Sequence, residues 1–155
     1  MPTATALLAI AVLFAGAPLP LAAQTTAGLQ DLRFGVVIPG VNTKVNRTDA
    51  LRAGQFRITG TRRAEVRVDL ALPAVLRAGV LTMPVQFASN DGGWDRNGTI
   101  GSQNAFNPNG PLITRLHNST GQLFIYLGGT AMPTLAQLGG NYAGTIVMTV
   151  AYTGN

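Results

Sequence analysis

An antiparallel all-β sandwich is the fold this sequence predicts, on three observations. Apolar residues alternate with polar ones at a period of two, the alternating runs are short, and glycine or proline bounds most of them. No segment carries a convincing helical period, although 71–78 and 134–138 each have room for a short turn. Six or seven such strands in roughly 130 residues suit two packed sheets of immunoglobulin-like type, with a closed barrel as the alternative. Hydrophobic residues reach 46%, and nineteen glycines with nine prolines stay under the share that marks low-complexity disorder, so the chain should fold.

The first 23 residues do not belong to that fold. Leu7, Leu8, Ile10, Val12, Leu13 and Phe14 lie in an uncharged apolar run too short to span a bilayer, and a Pro18 to Pro20 break precedes the small residues Ala22 and Ala23. This is the pattern of a secretory signal cut before Gln24, although its leading segment lacks Lys and Arg; an uncleaved anchor is the alternative. Residues 24–155 then form a single exported domain with no membrane-spanning run, located in the periplasm, at the cell surface or outside the cell. The chain has no cysteine, so stability in an oxidising compartment must come from burial and sheet hydrogen bonds. Thiolate metal sites and cysteine nucleophiles are excluded.

The strands follow in order. Leu32, Phe34, Val36 and Ile38 alternate up to the Pro39-Gly40 stop; Phe56 and Ile58 follow Gly54; Val66, Val68 and Leu70 run into Pro73. Leu81 to Phe87 carries Pro84, which marks an edge or a bulge. Leu123 to Leu127 is apolar on both parities, as a central strand or one under a loop would be. The cleanest signal is Tyr142 to Tyr152, where Ile146, Met148, Val150 and Tyr152 share one parity and five residues are β-branched. Eleven extended residues would reach about 36 Å.

A net charge of +5 and a pI near 10.8 invite a nucleic-acid reading. The placement of the charges opposes it: Arg57 falls opposite Phe56 and Ile58, and Glu65, Arg67 and Asp69 fall opposite Val66, Val68 and Leu70. Mixed signs on one strand face, with no interleaved aromatics, describe a solvated sheet surface.

Catalytic constellations are poor. His117 is the only histidine, and no spacing ties it to Ser89, Ser102 or Ser119 with an orienting carboxylate. Glu65 is the only glutamate and shares its exposed face with Asp69, where nothing would raise a pKa for glycosidase work. No phosphate-binding glycine motif precedes a helix. The expectation is therefore a protein without catalytic activity or cofactor. The stretch 89–111 reads as one long loop, and such loops are often functional. Asp91, Asp95 and Asn97 are hard-oxygen groups without calcium-loop spacing, so no metal is expected. Trp94, the sole tryptophan, either stacks on a sugar with Asp91, Asp95 and Arg96 beside it or folds back to pin its own loop.

Five motifs stand in fixed order: LRFGVVIPG from Leu32, GQFRITG from Gly54, LALP ending at Pro73, YLGGT from Tyr126, and PTLAQLGGNYAGTIVMTVAY from Pro133. Together they resemble the secreted bacterial family catalogued as domain of unknown function 4402, which is similar to the spore coat protein U domain and to chaperone-usher pilins. The resemblance implies a pilin-like sandwich serving as a structural or assembly subunit of the cell surface. Pilins of this kind lack a last strand, which a neighbouring subunit or a periplasmic chaperone supplies by strand addition. On that analogy Ile146, Met148, Val150 and Tyr152 line the groove of the C-terminal strand; a self-complete sandwich is the alternative. The segment from Gln24 to Asp31 makes a poor donor strand, with only Ala27 and Leu29 apolar. A monomeric envelope-binding module using the Trp94 loop for a glycan or other surface component is the competing function.

Overall fold

The computed structural model describes residues 23–154, so the expected signal segment lies outside the described residues save for its last position. Twelve strands follow one another: β1 (Thr25–Gln30), β2 (Thr43–Val45), β3 (Gly54–Thr59), β4 (Glu65–Ala71), β5 (Val75–Ala78), β6 (Leu81–Gln86), β7 (Gly92–Asp95), β8 (Asn104–Phe106), β9 (Leu112–Arg115), β10 (Gln122–Leu127), β11 (Gly129–Ala131) and β12 (Val147–Tyr152). They form three antiparallel sheets, ordered β1-β3-β10-β7-β8, β2-β11-β6-β5 and β12-β4-β9. The all-β, sandwich-like fold expected from the sequence is what the chain adopts. Among the described residues no helix is long and apolar enough to cross a membrane.

Period-two patterning places the core. Val66 and Val68 of β4 turn inward with Leu112 of β9, and meet Ile58 of β3 and Leu123 and Ile125 of β10 from the facing sheet. Each such side chain contributes roughly 1.5–3 kcal/mol by leaving water. The opposite parity of β4 is wet: Arg67 donates to Asp69 at 2.8 Å, and that hydrogen bond holds the Asp69 carboxyl below its usual range. Arg115 approaches Glu65 at 3.9 Å on the same face.

β10 is central in its sheet, as its two apolar parities require. Its outer side is covered as well: the backbone at Gly98 lies against the Phe124 ring, and Tyr126 is only 2% exposed. Burial, helped by the nearby negative charge of Asp95, pushes the Tyr126 phenol up to about 12 from an ordinary 10.0. The neutral form is thus favoured by the fold. Its contribution is complete below about pH 10 and is lost as pH rises towards about pH 12. Urea midpoints measured across that window should fall for the native chain and fall less steeply for Tyr126→Phe.

Several expected boundaries move. The stretch Leu32 to Ile38 is not a strand: Gly35 and Gly40 adopt positive φ (73° and 76°), which turns the chain out of any ladder and leaves Val36 96% exposed. β1 appears instead in the segment read as a poor donor, paired to β3 from Thr25↔Thr59 with a register shift between Gly28 and Gln30. The template is the edge of β3, not the apolarity of β1, none of whose residues is buried. Pro84 lies in an interior strand rather than at an edge. It is tolerated because β6 changes partner there, pairing β5 as far as Val75↔Pro84 and β11 from Val85↔Ala131. The stretch 89–111 contains β7 and β8, a hairpin whose glycines conceal it from strand propensity. The C-terminal strand is six residues, not eleven; just upstream of it the chain makes the isolated Arg77↔Ala143 bridge rather than a continued ladder.

A single residue, Gly128, joins β10 to β11 and so carries the chain from one sheet into another. A β-carbon there would overlap the Val45 carbonyl oxygen and stand 2.7 Å from the Arg47 amide nitrogen.

Candidate functional site

Two places present groups that the core only partly covers. The first is β12. It pairs in register with β4 from Val147↔Ala71 to Tyr152↔Val66 and is the outer strand of its sheet. Met148, Val150 and Tyr152 are half-buried and pack against the core cluster, while Val147, Thr149 and Ala151 face solvent. Ile146, expected to share the groove, is half-buried but precedes the strand. Along the outer edge the Gln24 side-chain amide donates to the Val150 carbonyl, filling one ladder position with a side chain. The Tyr152 hydroxyl accepts the Thr61 N–H at 2.9 Å, fastening the strand to the turn between β3 and β4.

The second place is the β7–β8 hairpin. Of the four residues singled out there, Trp94, Asp95 and Arg96 line one cleft and Asp91 does not. Asp91 lies at the other end of β7, accepting the Ala88 N–H at 2.8 Å with Lys44 at 3.8 Å. Asp95, 5% exposed, accepts the backbone N–H groups of Asn97, Gly98 and Thr99 at 3.1, 2.8 and 2.6 Å. Both carboxylates therefore serve as turn caps. Among the described residues no three of His, Cys, Asp and Glu come together as a metal-ligand group.

Trp94 packs against the core cluster, and the Arg96 guanidinium stands over its ring at 5.0 Å. Arg96 is itself held, donating from Nε to the Arg115 carbonyl at 2.7 Å and from Nη2 to Thr114 Oγ1 at 3.3 Å. That arrangement fixes the hairpin to β9, with the half-buried indole packed on the core and lining the cleft beside Arg96.

The cleft measures about 490 Å³ and includes residues that sequence reasoning missed: Arg63, Arg115, Asn104 and Asn118. His117 lines it too. Its Nδ1 accepts the Ser119 and Thr120 N–H groups at 3.1 and 3.3 Å and lies 3.0 Å from Ser119 Oγ. With Nδ1 accepting backbone protons, the ring proton sits on Nε2. Ser119 and His117 thus meet, but as a turn cap; among the described residues no carboxylate bonds to the ring. One signal marked Arg63: it is the only non-glycine among the described residues with positive φ, at 63°.

Comparison with protein-family models and with curated proteins gives no match to this chain.

Proposed function

We propose that this chain is a non-enzymatic, exported assembly subunit of the bacterial cell surface, pilin-like in mode, which accepts an added strand along the outer edge of β12. The single observation that carries the reading is the state of that edge. β12 is flanked on one side only, its inward parity of Met148, Val150 and Tyr152 is half-buried, and a Gln24 side chain occupies one carbonyl that a backbone N–H would otherwise take. The resemblance of the five motifs to the 4402-type domains and the reading of the first 23 residues as a secretory signal support the same proposal. The partners are homologous or other surface subunits and a periplasmic chaperone.

A synthetic peptide of alternating apolar residues tests this. It should raise the melting temperature of the mature domain with the logarithm of its excess over Kd, about 2.7 kcal/mol at a hundredfold excess. The same peptide with one proline at a ladder position should do much less. Absence of any shift at saturating peptide would identify a self-complete sandwich and remove strand addition as the mechanism.

A further inference from the structure

We infer that the cleft bounded by the β3–β4 turn, the β7–β8 hairpin and the end of β9 binds an acidic oligosaccharide, whose carboxylate is held by Arg63 and Arg115. This goes beyond strand addition: β9 is the opposite edge of the β12-β4-β9 sheet, and the two places meet at the β3–β4 turn, where the Tyr152 hydroxyl accepts the Thr61 N–H.

The charge in the cleft is unbalanced. Three guanidinium groups line it against one carboxylate, Asp95, whose oxygens already accept three backbone N–H groups. Arg96 is committed to Trp94, Thr114 and the Arg115 carbonyl. The other two are not so committed. Arg63 is in none of the ion pairs among the described residues. Arg115 is 59% exposed, with its nearest carboxylate, Glu65, at 3.9 Å and already accepting the Thr153 hydroxyl at 2.7 Å. An unpaired guanidinium at Arg63 and one at Arg115 held only by a 3.9 Å ion pair suit a planar carboxylate, which accepts paired N–H bonds.

Arg63 adds an independent observation. Its left-handed backbone opposes every L-residue with a β-carbon and would suit glycine. An arginine held there at a conformational cost points to a use for its side chain.

The rim selects among anions. Asn97, Asn104, Asn118 and Ser102 each offer both donor and acceptor atoms, which matches the neighbouring hydroxyls of a sugar and is more than a bare oxyanion requires. Trp94 lines the cleft, but its ring packs against the core and carries the Arg96 guanidinium at 5.0 Å. The face under the guanidinium is already taken, which leaves less of the ring for a nucleobase or a neutral sugar to stack on. Charge has to supply the affinity, so the ligand is a uronate-type glycan.

The test uses the mature chain and its single tryptophan as the optical probe, with calorimetry beside it. An oligogalacturonate should bind, more weakly as salt rises. Arg63→Gly should lower its affinity about tenfold or more while the melting temperature stays level or rises, since glycine relieves the backbone; Arg63→Lys should recover part of the binding. Arg115→Gln should lose a comparable factor. The inference is overturned if the oligogalacturonate does not bind, if its methyl-esterified form binds equally, or if Arg63→Gly leaves affinity unchanged. It is equally overturned if inorganic phosphate displaces the glycan at equal concentration, or if single-stranded DNA of the same length binds more tightly. None of these outcomes bears on whether the β12 peptide shifts the melting temperature.

Discussion

Gly128→Ala is expected to destabilise the domain by about 3 kcal/mol or more, because the added methyl has only backbone to push against. The Val45 carbonyl oxygen and the Arg47 amide both lie within overlap distance of that β-carbon, and the Gly128 N–H is fixed to the Asp91 carbonyl at 2.8 Å. A flexible side chain would rotate aside; a ladder residue of β2 and the chain just after it will not. The strand through Gly128 serves two sheets, so a shift that relieved the clash would disturb both β10 and β11. In a domain stable by only about 5–15 kcal/mol this is a large fraction, readable as a lower urea midpoint at unchanged slope. Gly139→Ala is the matched control, since a β-carbon there meets nothing within 4 Å, and it should be near neutral.

Met148→Asp should cost about 2–3 kcal/mol, and Thr149→Asp no more than about 1 kcal/mol. Met148 faces Leu70 across the ladder and packs against the core, so a carboxylate there would be desolvated without a partner. Thr149 faces Asp69 on the solvent side, where one more negative charge meets a carboxylate already bonded to Arg67. Equal losses from the two would mean that β12 is covered on both sides, which the reading of its face does not allow. Denaturant midpoints decide this, and the yield of folded protein should follow the same order.

The parts of the fold that the sequence made legible are those where side-chain alternation and burial coincide. β3, β4 and β12 have their inward residues on the expected parity because one face of each meets the core, and β10, apolar on both parities, is the middle strand of its sheet. β1 was illegible for the opposite reason: its partner strand, not its own residues, makes it a strand. The run from Leu32 to Ile38 carries alternation without a ladder, since Gly35 and Gly40 bend it away and alternation alone does not specify a partner. Asp91 and Trp94 look close in sequence, yet the extended backbone of β7 places Asp91 beside Lys44 and Trp94 beside Arg96. The cleft was hidden because residues 63, 94–97 and 115–118 reach it from three separate connections, and a left-handed arginine has no sequence signature.

The pairing of the first and last strands has a mechanical consequence. Thr25 opens the β1 ladder opposite Thr59, and Tyr152 closes the β12 ladder opposite Val66, on either side of the turn between β3 and β4. Tension applied between Thr25 and Tyr152 would therefore start at the same end of the sandwich and peel each outer strand from its neighbour one residue pair at a time. Ladder bonds lie across the strands, so peeling loads them singly, whereas a strand drawn lengthwise along β12 would load all of its bonds together. A filament of such domains would resist pulling through strands laid along β12, and each domain would give way easily if pulled from these two residues.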